Sequence, residues 1–290
     1  MEDWGLDESK TSFHAKNLNF ELSEDGNTYT VKSSTSKQAI VDLKFTRSCP
    51  GVAVGKDGAS YYGTDPSQPW GKVRHAFWPR CKVEGSIMTQ SGELPMRGPG
   101  IFIHALQSIK PNFAGENGVG CVYCSSLTGS ASSWNFFNFQ SPTHSAVMME
   151  FTTPPSYGST VVTVGIIAED GKILCAGAQD AVKYTATIHD EEVGWNPPES
   201  AEMHWKSNSA SQSDGQVSAS LSGSLGTRYD RVDVLAQIPA FLKTIIAAAA
   251  GSKPFIYQYG PQMELLLSTK GEEEKSIQGT VFIEATFITG

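Results

Sequence analysis

Apolar and polar residues alternate strictly along much of this chain, and this period of two constrains the fold more than any other feature. The alternation is cleanest over residues 217–225, where serine occupies every second position, and it recurs over residues 39–46, 81–89 and 182–188. Successive side chains of a β-strand point to opposite faces, so a period of two is typical of a strand with one buried face. The chain is therefore predicted to consist mainly of β-strands.

Short turn sequences separate the alternating segments. They read EDGN at residues 24–27, KDG at 56–58, EDGK at 169–172 and SDG at 213–215. Each provides a glycine where the backbone is expected to need a positive φ. Many short strands joined by such turns, without regular helical spacers, predict an all-β fold of antiparallel barrels or sandwiches.

Two segments break the alternation. Residues 159–168 are apolar on both faces, which predicts a strand covered on both sides, for instance between two packed barrels. Residues 238–250 read IPAFLKTIIAAAA, with Pro239 suited to a first helical turn and Gly251 followed by Pro254 as a stop. They predict one short C-terminal helix, either packed over a barrel end or serving as a mobile lid or membrane-touching helix.

Composition excludes several classes of protein. The net charge is −8 and the pI is about 5.3, so binding to nucleic acid through a basic face is not expected. No uncharged apolar run reaches the roughly 20 residues that a bilayer-spanning helix needs, and residues 1–5 do not begin a secretory signal. The five scattered cysteines are expected to be reduced thiols. These features predict a cytoplasmic protein.

Motifs for metals, cofactors and nucleophilic catalysis are missing from the sequence. Cys121 and Cys124 lack a second Cys or His pair at zinc spacing. The chain has neither a P-loop nor the glycine pattern of dinucleotide-binding folds, and it has no G-x-S-x-G nucleophile motif. We therefore expect no metal and no cofactor, and nothing in the chain requires catalysis.

A segment rich in aromatic residues, glycine and proline, residues 61–80, predicts a stiff, irregular loop. Within it, Arg74 and Arg80 bracket His75 and Trp78. The two arginines are candidates to hold an anionic headgroup by charge-assisted hydrogen bonds, or to stack on Trp78. The alternative interpretation is that they fix the loop by binding carbonyl or carboxylate groups.

Two later segments supply the other candidates. His104 shares a predicted strand face with Phe102, which favours a hydrogen-bonded core histidine; the alternative is a proton-transfer pair with His75. Residues 134–140 mix large rings with amides. In a barrel wall the rings would line an apolar cavity and the amides would bind a polar ligand group, whereas ordinary packing is the competing interpretation.

Several long motifs resemble the fungal survival factor 1 family. They are GKDG at residues 55–58, YYGTDP at 61–66, PWG at 69–71, RHAFWPR at 74–80, FIHALQ at 102–107, WNFFNFQS at 134–141, MMEFTTPPSYGSTVV at 148–162, KPFIYQY at 253–259 and the closing FIEATFI. The resemblance implies two tandem lipocalin-like antiparallel β-barrels, which we place at residues 1–97 and 98–290.

The resemblance also implies a function. Family members are associated with survival under oxidative stress and with carrying long-chain sphingolipids, notably ceramide, from endoplasmic reticulum to Golgi. It therefore implies a non-catalytic protein of the cytoplasm that contacts endoplasmic reticulum and Golgi membranes transiently, with the nucleus as a further location. A monomer is expected.

The chain departs from the family at two places. Members carry an additional N-terminal stretch with a membrane-targeting amphipathic helix, so the first barrel is expected to be truncated, with an open strand edge. Residues 115–133 interrupt a region that is almost continuous in the family. Their glycine and serine content predicts an atypical loop, or read-through of unspliced sequence.

We therefore predict a non-enzymatic lipid-binding protein that encloses a sphingolipid in a barrel or between barrels. The alternatives are an isomerase- or hydratase-type enzyme on a lipocalin scaffold, with His75 or His104 as acid or base, and a protein-interaction module in the stress response. Candidate apolar ligand contacts are Phe102, Trp134 and Phe136, beside Trp78. Candidate polar contacts are His75, Arg80, His104, Asn135 and Asn138.

Overall fold

Two antiparallel β-sheets make up the part of the chain described by the computed structural model. The structure describes residues 4–9, 11–56, 58–62, 65, 67–69, 71–109, 132–153, 155, 158–177, 181–207, 217–236 and 252–289. These described residues include no helix that is long and apolar enough to cross a membrane. The predicted C-terminal helix at residues 238–250 and nearly all of the predicted loop at residues 115–133 lie outside the described residues.

The first sheet contains nine strands. They are β1 (Trp4–Leu6), β2 (Phe13–Ala15), β3 (Leu18–Leu22), β4 (Thr28–Ser33), β5 (Ala39–Arg47), β6 (Val52–Ala53), β7 (Ala59–Tyr62), β8 (Gly71–Thr89) and β9 (Gly92–Ile109). The order is β1-β2-β3-β4-β5-β8-β6, and β7 and β9 also pair with β8. The predicted boundary between residues 97 and 98 falls inside β9, whose pairing with β8 extends to Ile109.

The second sheet contains eleven strands. They are β10 (Ser133–Gln140), β11 (His144–Thr152), β12 (Val161–Glu169), β13 (Lys172–Gly177), β14 (Ala181–Thr187), β15 (Pro198–Lys206), β16 (Val217–Ser224), β17 (Arg228–Asp233), β18 (Ser252–Tyr259), β19 (Gln262–Thr269) and β20 (Lys275–Thr289). The order is β13-β12-β11-β10-β20-β19-β16-β15-β14, with β17 and β18 joined to β20 through β18. The predicted strands over residues 39–46, 182–188 and 217–225 are confirmed within a residue or two by β5, β14 and β16, and the strand over residues 81–89 is confirmed as the second half of β8. The predicted irregular loop over residues 61–80 is wrong for residues 71–80, which form the first half of β8 and pair with β9.

The second sheet curls around a filled interior. Side chains from strands far apart in its order, such as Phe139 on β10, Trp205 on β15 and Leu265 on β19, belong to one buried cluster. All three have no measurable solvent exposure. The indole Nε1 of Trp205 donates a hydrogen bond of 2.8 Å to the Val147 carbonyl oxygen, so its polar atom is satisfied inside the core. This interior is a packed core rather than a container.

The first sheet curls as well, but its concave side is open. Tyr29 on β4 and Phe102 on β9 stack with ring centroids 4.4 Å apart, although β5 and β8 lie between their strands. In a flat sheet three strand spacings would separate them by about 14 Å. The pairing register places the following apolar residues on this side, which we call the concave face: Phe13, Leu18, Phe20, Leu22, Tyr29, Val31, Val41, Leu43, Phe45, Trp78, Ile87, Leu94, Met96 and Phe102. Each of these is partly or largely exposed, whereas Val83 and Cys81, which the register places on the same side, are buried.

One glycine allows the curl where β5 and β8 meet. Gly85 on β8 pairs with Leu43 and has a φ of +125°. A Cβ atom at this position would lie 2.1 Å from the Asp42 carbonyl oxygen. Only glycine therefore permits this close approach, and it also leaves the centre of the concave face without a side chain.

The opposite face of β8 and β9 packs against the outside of the second sheet. Phe77 lies in a buried cluster with Val147 and Val164, and Val73 lies in another with Phe151. Residues 163–168 of β12 are buried without interruption, because one face meets the second core and the other meets the first sheet. The prediction that residues 159–168 are covered on both sides, between two packed units, is confirmed for residues 163–168, whereas Ser159 and Val161 are exposed.

Candidate functional site

A β-bulge brings two of the predicted residues together on the concave face. Between Trp78 and Cys81 the register of β8 against β9 shifts, so β8 uses one more residue than its partner. The shift carries Trp78 onto the same side as Val83, directly opposite Phe102. The two rings lie 5.8 Å apart. Without the bulge, the alternation of β8 would place Trp78 on the opposite side of the sheet from Val83.

Two more rings complete what we call the aromatic floor, Tyr29, Phe45, Trp78 and Phe102. Tyr29 lies 5.0 Å from Trp78, and Phe45 lies 5.7 Å from Phe102. Tyr29 and Phe45 were not singled out from the sequence. Phe45 did stand on the apolar side of an alternating segment, but alternation cannot distinguish a residue of a closed core from one on an open face.

Polar groups border the aromatic floor at one end. The Arg47 guanidinium lies 5.5 Å above the Trp78 ring and donates a 2.6 Å hydrogen bond to the Asn27 side-chain oxygen. His104 is exposed and lies two residues from Phe102 on the same side of β9. An apolar trough with a cation–π pair and an imidazole at its end can accommodate an elongated apolar molecule that has a polar end.

The two histidines do not meet, so the predicted proton-transfer pair is wrong. His75 pairs with Ala105, and His104 pairs with Ala76. Directly paired residues share a face and neighbours alternate, so His75 and His104 point to opposite sides of the sheet. The prediction that His104 is a hydrogen-bonded core residue is also wrong, because its side chain is exposed.

His75 lies instead between the two sheets. It is 3% exposed, and its ring lies 5.9 Å from each of Phe77 and Trp134. Among the described residues, nothing forms a hydrogen bond with its buried Nε2. Burial without a charged partner lowers the pKa of His75 to about 4, so the ring is neutral at physiological pH.

Arg80 joins the two sheets. It is 4% exposed and donates hydrogen bonds to the carbonyl oxygens of Ser141 and Pro142 and to the Ser145 hydroxyl. Its Nε also binds the Asp170 carboxylate at 2.5 Å. This geometry corresponds to the alternative interpretation of the sequence, in which arginine binds carbonyl and carboxylate groups of the protein. These groups lie away from the concave face.

The candidates on β10 are divided between two faces. Trp134, Phe136 and Asn138 alternate with Asn135, so they lie on the outer side of the second sheet while Asn135 points inward. Trp134 stacks on Phe151 at 5.5 Å within the packed interface. The Asn138 side-chain oxygen accepts a 2.7 Å hydrogen bond from Gln140.

Asn135 belongs to a buried polar network at one end of the second core. The Tyr184 hydroxyl donates to its oxygen, and its amide donates to Glu150 at 3.3 Å. Glu150 also accepts the Val182 backbone N–H at 3.1 Å, which connects β11 to the edge strand β14. Burial raises the pKa of both Glu150 and Tyr184. The network links β10 and β11 to the edge strand β14. The hydrogen-bonding groups of Asn135 are therefore bound to other residues of the protein.

A surface cleft of about 390 Å³ lies elsewhere on the second sheet. Arg231 binds Asp190 there at 2.7 Å, and the Tyr257 hydroxyl donates to the same carboxylate at 2.8 Å. The lining includes Glu191, Glu192 and Arg228 and is therefore strongly charged. The concave face, in contrast, is lined by fourteen apolar side chains that are partly exposed, and Leu94 and Met96 at its end are largely exposed.

Solved structures similar to this chain share its fold. CghA matches with a TM-score of 0.57 and 12% identity, over 100% of this chain and 73% of that chain. Kievitone hydratase from Nectria haematococca matches with a TM-score of 0.50 and 15% identity, over 99% and 79%. At these identities the likeness concerns the fold alone. The predicted all-β, lipocalin-like architecture is confirmed.

Much higher similarity links the chain to curated fungal proteins. The ceramide-binding protein svf1 of Emericella nidulans is 48% identical over 286 residues, which cover 98% of this chain and 70% of that protein. The ceramide-binding protein svf-1 of Neurospora crassa is 47% identical over 285 residues, which cover 97% and 70%. The sequence profile of the Svf1 family matches residues 1–289. The chain therefore belongs to the Svf1 family.

Proposed function

We propose that this protein binds ceramide and that the acyl chains lie on the concave face of the first sheet. The observation that carries the proposal is the exposure of fourteen apolar side chains on that face, beside a second core that is filled. Exposed apolar patches of this kind mark binding surfaces, because leaving them in water is unfavourable. Relatives named as ceramide-binding proteins support the choice of ligand.

The chemistry of the face suits a long-chain lipid. Each buried CH₂ group contributes about 0.8 kcal/mol, so one acyl chain of ordinary length supplies most of the affinity. The aromatic floor lies below the chain near its polar end, and Arg47 and His104 are placed to bind the amide and hydroxyl groups of the headgroup. Of the residues singled out from the sequence, the proposal retains Trp78, Phe102 and His104 as direct contacts.

In this proposal the remaining candidates stabilise the fold and do not contact the ligand. His75, Trp134 and Phe136 pack between the sheets, Arg80 joins them, and Asn135 and Asn138 bind neighbouring side chains. The protein is proposed to be a monomeric, non-enzymatic carrier of the cytoplasm, moving ceramide between endoplasmic reticulum and Golgi and supporting survival under oxidative stress. A binder is favoured over a hydratase because the two histidines that would supply acid and base point to opposite faces.

The test compares two adjacent residues on opposite faces of β5. Leu43→Lys places a charge in the centre of the concave face, whereas Asp42→Lys places the same side chain on the convex face. We expect ceramide to be recovered by lipid extraction and mass spectrometry from the parent protein and from Asp42→Lys. Recovery from Leu43→Lys should fall about tenfold or more, because the acyl chain would have to desolvate an ammonium group.

Both variants must first show parental unfolding transitions, since a misfolded protein would lose ligand for another reason. Equal ceramide recovery from Leu43→Lys and Asp42→Lys would show that the ligand lies elsewhere. Failure to recover any ceramide from the parent protein, after exposure to ceramide-containing vesicles, would contradict the proposed function itself.

A further inference from the structure

One end of the first sheet carries a concentration of exposed apolar residues that the ligand face alone does not explain. Ten large hydrophobic residues of the described chain are substantially exposed, and four of them are Ile40, Met88, Leu94 and Met96. Their exposed fractions are 55%, 45%, 53% and 37%. All four lie close to the turn between β8 and β9, and we call residues 39–41 and 86–96 the hairpin tip.

The apolar residues of the hairpin tip lie on both faces of the sheet. Ile40 pairs directly with Met88 on the convex face. Leu94 pairs with Ile87 on the concave face, where Met96 follows two residues later. A protein partner docked on one face would leave the other pair in water. Both pairs are covered at once only when the tip enters a continuous apolar medium.

The charge of this region differs from that of the rest of the chain. The hairpin tip and the adjoining residues 34–38 contain one lysine, Lys37, and one glutamate, Glu93, whereas the whole chain has a net charge of −8. The turn itself, from Thr89 to Gly92, carries only uncharged side chains. A segment with so few charges enters the interfacial region of a bilayer at a lower desolvation cost than a highly charged segment would.

The turn is also ordered before any contact. The Thr89 hydroxyl donates to the Gly92 carbonyl oxygen at 2.9 Å and accepts the Ser91 backbone N–H at 3.2 Å. Insertion of a pre-formed hairpin loses little conformational entropy.

We propose that the hairpin tip docks on a lipid bilayer surface by inserting Ile40, Met88 and Leu94. Leu94 and Met96 belong both to the tip and to the concave face, so a docked protein presents the end of its ligand face to the membrane. The role of the docked ligand face rests on the proposed function, whereas membrane docking itself does not. The tip thereby provides a route by which an acyl chain passes between bilayer and protein without crossing water.

The test is flotation of the full chain with phosphatidylcholine vesicles. The double variant Ile40→Ser/Met88→Ser should lower the partition coefficient about tenfold or more, because each large apolar side chain contributes at least that factor when fully buried. The control is Val161→Ser, which removes a side chain that is 57% exposed at the start of β12 in the second sheet. It should leave partitioning unchanged. Binding should also persist at high salt, because insertion rather than charge drives it.

Two further measurements separate this proposal from the proposed function. The double variant should still take up ceramide delivered from detergent micelles, and Leu43→Lys should still float with vesicles while losing ceramide. Parental flotation of the double variant would overturn membrane docking and leave ceramide binding intact. Flotation that requires phosphatidylserine and is abolished by salt would also overturn the proposal, because it would show that charge rather than apolar insertion drives binding. A parent dimer that the double variant converts to monomer, measured by light scattering, would also overturn it and assign the tip to self-association.

Discussion

The two sheets are built from the same kind of strand, yet one is filled and the other is open. In the second sheet, bulky inward residues such as Phe139, Trp205 and Tyr257 meet across the interior and leave at most 2% of their surface exposed. In the first sheet, the inward residues are as apolar, but Gly85, Gly98 and Gly100 occupy the centre of the concave side. Alternation thus specifies which side of a strand is apolar, and the size of the facing residues decides whether that side becomes a core or a binding surface.

The largest expected contrast is between two tryptophans. Trp205→Ala empties a site with no solvent exposure and should lower the free energy of unfolding by about 4 kcal/mol. Trp78→Ala on the concave face should lower it by only about 1 to 2 kcal/mol, because part of the ring is already in water. Urea denaturation of both variants measures the difference. Equal losses would show that the concave side is as closely packed as the second core.

The next contrast concerns the tether between the sheets. Arg80→Met leaves the Ser141 and Pro142 carbonyl oxygens without their buried donor, and should lower the free energy of unfolding by about 3 kcal/mol. Asp170→Asn should cost less than about 1 kcal/mol, because the Asp170 carboxylate is 66% exposed. Hydrogen exchange of Arg80→Met should show the first sheet opening separately from the second. Concerted exchange, with a small loss of stability, would contradict the role of Arg80 as the tether.

A third prediction uses the buried histidine between the sheets. The folded pKa of His75 is about 4, below its value of 6.5 in the unfolded chain, so between these values the unfolded state binds more protons. Stability should therefore fall as the pH is lowered through this window, by about 2 kcal/mol between pH 7 and about pH 4.5. His75→Leu removes this contribution and leaves that of Glu150, whose pKa is raised by burial, in place. Identical pH profiles of parent and variant, measured by urea denaturation, would show that His75 is hydrated or partnered.

The smallest contrast uses one conservative substitution at two places. Val281→Thr introduces a hydroxyl into the second core, where Val281 has no exposure, and should cost about 1 to 2 kcal/mol. Val31→Thr introduces the same hydroxyl on the concave face, where water can bind it, and should cost less than about 0.5 kcal/mol. Thermal unfolding measures both. A comparable cost at Val31 would mean that the concave face is dry and covered.

Sequence reasoning predicted the elements better than the site. It identified β5, β16 and the second half of β8 from their alternation, and it identified most of β12 as a strand covered on both sides, because burial on each face leaves a direct trace in residue type. It took the first half of β8 for an irregular loop, because that segment is rich in aromatic residues and does not alternate. It placed Trp78, Phe102 and His104 among the candidates because of the residue types around them, which are rich in aromatic and polar side chains. It missed Tyr29, Phe45 and Arg47, whose importance depends on the curl of the sheet.

The wrong predictions for His75, His104 and Arg80 also arose because the contacts of these residues depend on the tertiary structure. His75 and His104 are separated by 28 intervening residues, and only the register of β8 against β9 shows that they face opposite sides. Arg80 was a headgroup candidate because its charge is visible in the sequence, whereas its carbonyl partners around Ser141 become neighbours only when the two sheets pack. Local pattern cannot report contacts between segments about 60 residues apart.

The sequence by itself determined that this protein is made of β-strands, which residues of each strand are apolar, and that the chain is a member of the Svf1 family. Only the tertiary structure decided that one apolar side is filled and the other open, that a bulge turns Trp78 toward Phe102, and that Arg80 serves the junction of the sheets. The reason is physical. A side chain's periodicity is a local property of the backbone, whereas its burial depends on what other strands bring against it.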